Sequence, residues 1–239
     1  MTVLCIGAHP DDEISAGGTL AKHSQAGDRV VVITMTRGGM GHRTMDPADL
    51  VKLREKEAHE AAKTLGVELR LLDYVDGAVP TRQDVAYTLA AHIREIKPDV
   101  VLTHSDETFH PDHRATHRMA IDAVFAASLP LLDLQGLPSY NVPRVLLFAD
   151  DLYRRHDVYV DIRDTIDMKI EAASRHASQY EDWLVDGGCA IDSGWDAVGY
   201  RDAFRMEGHI FGGHCGIEYA EAFDDLQPRG PIALPKLAI

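Results

Sequence analysis

Two short stretches of this chain crowd together groups that hold metal ions and move protons. The first, "AHPDDE" at 8–13, carries His9, Asp11, Asp12 and Glu13, and the second, "HPDH" at 110–113, carries His110, Asp112 and His113. Carboxylates this close repel one another and raise each other's pKa unless a cation neutralises them. A divalent metal is the simplest such cation. His9 and Asp12 from the first stretch and His113 from the second supply the three donors of a catalytic zinc site, with one position left for water. Asp11 is then free to act as a base on that water. Such donors also accept Fe2+, Co2+ or Mn2+, so the expectation is one Zn2+ per chain or one of these ions in its place.

The site exists only if the fold brings two distant stretches together. Val3 to Gly7 is apolar throughout, as suits a central parallel strand buried on both faces. Further runs at Val30 to Met35, Val67 to Tyr74 and Asp99 to Thr103 alternate with helical patterns over 14–26, 49–65, 81–97 and 112–127. Gly27 and Gly66 end two of these helices, Thr81 caps the third and Pro98 stops it. A Pro-containing loop over 129–143 leads to strands at "RVLLFA" and "DVYVDI", a long helix over 164–183, a loop at 185–195, a helix over 196–211 and a last strand over 218–223. This alternation predicts an α/β fold, a Rossmann-like three-layer sandwich with a mostly parallel central sheet. One domain over 1–239 is expected, with a core at 1–128 carrying both motifs and a part at 129–239 completing the site. In the strand order 3-2-1-4 both motifs leave carboxyl ends of neighbouring strands, where open α/β sheets bind their ligands.

Composition removes several classes of partner. A formal charge of −14, from 38 acidic against 24 basic residues, opposes nucleic acid. Cys5, Cys189 and Cys215 lack CxxC spacing and read as free thiols in a reducing compartment. No run approaches the roughly 18 apolar residues of a membrane span, and no leader pattern opens the chain, so a cytoplasmic protein without membrane contact is expected.

Plainer readings exist for each motif. "AHPDDE" alone could be a capped helix start, but a second such cluster past another predicted strand favours the metal. His113 and His117 have zincin-like i, i+4 spacing, yet the intervening "RAT" lacks the glutamate that serves as base in that motif. "AGGT" at 16–19 lacks the dinucleotide-binding glycine pattern, and "TRGGMGHR" at 36–43 reads as an active-site lip or a phosphate cradle. His23, His59, His92, His156 and His176 read as packed or solvated residues. A phosphoesterase using Arg37, Arg43 and Arg54, or a non-catalytic sugar-binding module, are the alternatives to an amide hydrolase.

Together the two motifs resemble those of the LmbE-like (PIG-L-like) zinc-dependent deacetylases, which remove the acetyl group from N-acetylglucosaminyl compounds and include enzymes acting on bacillithiol and mycothiol precursors. "LREKEA" at 53–58, "SQY" at 178–180 and "EYAEAF" at 218–223 extend the resemblance over most of the chain. It implies metal ligation by His9, Asp12 and His113, attack by a zinc-bound water with Asp11 as general base, and oxyanion stabilisation by a protonated His110. It further implies that Asp112 holds His110, that Arg54 contacts substrate, and that the substrate is a small N-acetylated sugar derivative. A homo-oligomer, hexameric by analogy, is implied too. The chain departs from some members in having Thr108 where they carry a tyrosine, and from many in having Gly39 where they carry an acid.

Overall fold

The N-terminal apolar run forms β1 (Thr2–Gly7), the centre of a seven-stranded sheet with order β3-β2-β1-β4-β5-β7-β6. The structure is a computed structural model that describes residues 1–183 and 199–226. From β1 the chain winds outward through α1 (Gly17–Gln25), β2 (Arg29–Thr36), α2 (Pro47–Leu65) and β3 (Glu68–Tyr74). It returns through α3 (Gln83–Ile96) to β4 (Val100–Thr103), which pairs with β1 in parallel, Leu4 opposite Val101. Then α4 (Pro111–Ser128) leads to β5 (Arg144–Phe148), parallel to β4. The sheet is completed by β6 (Val158–Asp161), α5 (Ile166–Ala173), α6 (Tyr200–Cys215) and β7 (Ala220–Asp225), the last antiparallel to both β5 and β6.

Alternate side chains of each strand point to opposite faces, and each face has its own core. Leu4, Ile6, Val31, Ile33, Val101 and Val145 pack under α3 and α4, against Leu89, Ile93 and Met119. Val3, Cys5, Val30, Val32 and Leu102 lie on the other face with Leu20 of α1, next to a cluster in which Ile166 and Ile170 of α5 meet Phe204 of α6. The result is the expected three-layer sandwich, with a mostly parallel sheet. Among the described residues no helix is long and apolar enough to cross a membrane.

Several boundaries differ from the sequence reading, each for a tertiary reason. The first helical stretch opens as a 3-10 turn, Asp12–Ala16, because the Asp12 side chain folds back onto the end of β1. Thr81 is not the cap of α3, whose N-cap position is Arg82 with no side-chain cap bond. The long helix expected over 164–183 is broken: α5 stops at Ala173, and a π-helical turn follows at Ser178–Trp183. At the break the His176 N–H bonds back only three residues, to the Ala173 carbonyl, and its ring is drawn into the interior. The helix expected over 196–211 is α6, and the loop expected at 185–195 lies outside the described residues. Arg94 is buried and donates to the Ala127, Leu129, Leu132 and Leu137 carbonyls, tying down the end of α4 and the loop after it.

Candidate active site

At the carboxyl end of β1 the chain turns back on itself. A Cβ on Gly7 would lie 2.8 Å from that of Asp12, so the missing side chain is what admits the turn. Asp12 Oδ2 accepts from the Ala8 and His9 N–H groups, both at 2.7 Å, and lies 3.0 Å from His104 Nε2. Its other oxygen, Oδ1, faces His113 Nε2 at 3.3 Å. His9 puts Nδ1 3.6 Å from Asp12 Oδ2 and turns Nε2 the other way, to Asp76 Oδ1 at 3.1 Å and Asp112 Oδ2 at 3.2 Å.

The second motif opens α4. His110 is its N-cap, with Nδ1 accepting the Asp112 N–H at 3.2 Å, and Pro111 takes the first helical position, where its missing N–H costs nothing. One turn on, His113 stacks between His104 and His110, at ring separations of 4.0 and 4.5 Å. Thr108 Oγ1 lies 3.4 Å from His113 Nδ1, so Nε2 is the nitrogen directed at Asp12. Among the described residues three donor groups of ligand-sized spacing result, His9 with Asp76 and Asp112, His9 with His110 and His113, and Asp12 with His104 and His113. The expected trio of His9, Asp12 and His113 spans the last two.

Asp11 sits beside this cluster in a strained conformation, φ 125° and ψ −20°. A non-glycine residue there costs about 1–3 kcal/mol and persists only where its surroundings over-determine it. They do so here. Its N–H donates to Glu13 Oε2 at 3.0 Å, and its Oδ1 accepts from Arg54 Nη2 at 2.9 Å. Arg54 also donates to the Pro10 and Gly38 carbonyls. Gly38 has φ 69°, and a Cβ there would stand 2.5 Å from the guanidinium.

The local fields follow from these contacts. Burial drives the Asp11 carboxyl up, Arg54 opposes it, and the nearby Asp12 charge adds to the rise, leaving it at about 6. Burial would lower His9, but its contacts with Asp112 and Asp76 and the Asp12 charge outweigh that and push it up to about 10. Burial, then the neighbouring His113 and His9, hold His110 down at about 4. Near neutral pH this ring is uncharged, with its Nδ1 lone pair engaged and its proton on Nε2.

Several expectations are changed by this geometry. Asp112 does not hold His110 through its side chain, which contacts His9 and accepts from the Gly77 and Val79 N–H groups at 2.7 and 3.1 Å; only its own N–H reaches His110. The resemblance implies a protonated His110, and burial together with the neighbouring His113 and His9 opposes that charge. Arg54, implied to contact substrate, is 2% exposed and occupied beneath Asp11. Three participants escape the sequence reading. Asp76 follows β3 and His104 follows β4 directly, so the strand-end rule that selected the two motifs could have found both. His176, read as packed or solvated, is fully buried against Glu13, Nε2 to Oε1 at 2.7 Å, and burial notwithstanding, that contact raises its pKa. No sequence signal links those two.

Fold and site together describe an α/β protein whose acid- and histidine-rich strand ends converge on one cluster of side chains. The chain matches the PIG-L (GlcNAc-PI de-N-acetylase) family over residues 4–124 and belongs to it. It is 32% identical over 189 residues to the diacetylchitobiose deacetylase of Thermococcus kodakarensis, covering 74% of this chain and 70% of that protein. It resembles the structure of the N,N'-diacetylchitobiose deacetylase from Pyrococcus horikoshii with a TM-score of 0.80 and 31% identity, over 94% of this chain and 83% of the other. A second structural relative, the 4-carboxy-2-hydroxymuconate hydratase from Pseudomonas putida, has a TM-score of 0.79 and 25% identity, with 95% and 97% covered. The family features "LREKEA" and "SQY" meet in space, since Glu57 accepts from the Ser178 N–H at 2.9 Å and from its hydroxyl at 2.6 Å.

Proposed function

We propose that the protein is a metal-dependent N-deacetylase of GlcNAc-type substrates. One observation carries this reading. His9 Nε2 is engaged by Asp112 and Asp76, Asp12 Oδ2 by backbone N–H groups and His113 Nδ1 by Thr108, which leaves His9 Nδ1, Asp12 Oδ1 and His113 Nε2 as donors, with His113 Nε2 3.3 Å from Asp12 Oδ1 and His9 Nδ1 3.6 Å from Asp12 Oδ2. Outer partners of this kind orient ligands and set their tautomers. Zn2+ or a similar ion held by these three residues would lower the pKa of its water towards about 7 and polarise the acetyl carbonyl.

The chain's own groups supply the remainder. Asp11, half-buried and aimed by Arg54, takes a proton from the attacking water as the general base. His110 offers its Nε2–H to the oxygen on which charge develops, a type of contact commonly worth about 3 kcal/mol. The proton that Asp11 has accepted is then the one available to the departing amine. Phosphoester hydrolysis has less support, because Arg37 is paired with Glu55 and Asp73 and Arg54 is held under Asp11. A hydratase is the second reading, favoured by the near-complete structural coverage of the Pseudomonas putida enzyme.

The test is metal content of the purified protein together with amine release from N-acetylglucosamine and its 1-substituted derivatives, for wild type and Asp11→Ala. One metal per chain is expected in both, with turnover falling by roughly 10²–10⁴ in the variant. Chelation should abolish the activity and Zn2+ restore it. Hydration of 4-carboxy-2-hydroxymuconate without amine release would select the second reading.

A further inference from the structure

Beneath the pocket lies an ion pair that none of these steps uses. Glu13 is 4% exposed and His176 fully buried, and among the described residues His176 Nδ1 has no hydrogen-bond partner. Buried polar atoms are nearly always paired, so a ring kept inside is held there for the polar side-chain contact that the described residues give it, with Glu13. Glu13 divides its carboxylate between two partners, His176 Nε2 at 2.7 Å from Oε1 and the Asp11 N–H at 3.0 Å from Oε2.

We propose that Glu13 and His176 are a positioning pair that holds the strained backbone of Asp11 and so aims its carboxylate. Asp11 is gripped from two sides, its side chain by Arg54 and its N–H by Glu13, while φ stays at 125°. Glu13 is in turn anchored by His176, whose place is fixed by its neighbours. Ser178 bonds to Glu57 of α2, and Gln179 Nε2 donates to the Gly41 carbonyl of the glycine-rich loop at 3.1 Å. The break in the helix expected over 164–183 is what delivers the imidazole to this point. A base displaced by about 1 Å can lose about 10²-fold in rate, which gives such an anchor a function beyond packing.

The kinetic arm of the test rests on the deacetylase reading; the structural arm does not. Glu13→Ala and His176→Phe should each lower kcat by about tenfold or more, with KM and metal per chain unchanged. Glu13→Gln should recover most of the loss, because its amide oxygen can still accept the Asp11 N–H. In crystal structures, Asp11 should leave positive φ in Glu13→Ala and keep it in Glu13→Gln. An Asp11 φ still near its wild-type value in Glu13→Ala, or a kcat that falls only in proportion to lost metal, would overturn the proposal. If Glu13→Ala does not fold, the same two readings on His176→Phe decide. A wild type that releases no amine would overturn the deacetylase reading alone, and the crystal structures would still decide the positioning role.

Discussion

Replacing Asp112 by asparagine separates two roles that the family resemblance merges. The carboxylate is 2% exposed, with Oδ2 shared between the Gly77 N–H at 2.7 Å and His9 Nε2 at 3.2 Å, and Oδ1 taking the Val79 N–H at 3.1 Å. Asparagine has one acceptor oxygen, so its amide group must face one of these donors. A buried N–H left unpaired costs about 1–3 kcal/mol of stability. His9 meanwhile loses a charged partner, and losses of this kind typically weaken metal binding by about 10–100-fold. Asp76 remains 3.1 Å from the same nitrogen, which places the expectation near the lower end, about tenfold or 1.4 kcal/mol. Zinc affinity by chelator competition, alongside urea unfolding of the chelated protein, measures both effects. Zinc affinity within twofold of wild type, with reduced stability, would show that Asp112 merely staples the 77–79 loop. Unchanged affinity with a large fall in kcat would return it to the service of His110 and refute the reassignment.

Two further outcomes are expected. In chelated protein Asp11 should titrate near pH 6 by carboxyl-detected NMR, and Arg54→Met should move it higher, since the guanidinium opposes the effect of burial. Because the folded value exceeds the ordinary carboxylate value of about 3.9, this group's contribution to stability is full below that pH and is lost as pH rises through about 6, whereas its use as a base requires the ionised form above it. A midpoint near pH 4 would contradict the assigned environment. Where α1 begins, Lys169 is buried 2.9 Å from Glu221, whose carboxylate also accepts the Gly18 and Thr19 N–H groups. Lys169→Met should cost about 3–5 kcal/mol in urea unfolding by leaving that carboxylate buried and uncompensated, and adding Glu221→Gln should recover part of it. A single-variant cost below about 1 kcal/mol would rule this out.

Local pattern was sufficient for much of the architecture. Apolar runs of strand length alternating with helical periodicity imply parallel strands joined by crossovers, and right-handed crossovers leave few orders to choose from. The order 3-2-1-4, and hence the meeting of "AHPDDE" with "HPDH", follows from that pattern together with the strand-end rule. Helix ends set by backbone chemistry were legible too, as with Gly66 in the left-handed conformation after α2 and Pro111 at the first position of α4. Where side-chain contacts decide how a helix starts or stops, as at Asp12 and His176, the pattern failed.

The types of donor at the pocket, and the strands that carry them, are properties of short stretches and could be read from the chain alone. Which atom each donor turns inward could not, because that choice belongs to partners far away in sequence. Asp76 and Asp112 set the face of His9, Arg54 and Glu13 set the conformation of Asp11, and His176 reaches Glu13 across 163 positions. A hydrogen bond depends on distances of a few tenths of an ångström and on direction, and between such remote residues only the packed tertiary structure defines them.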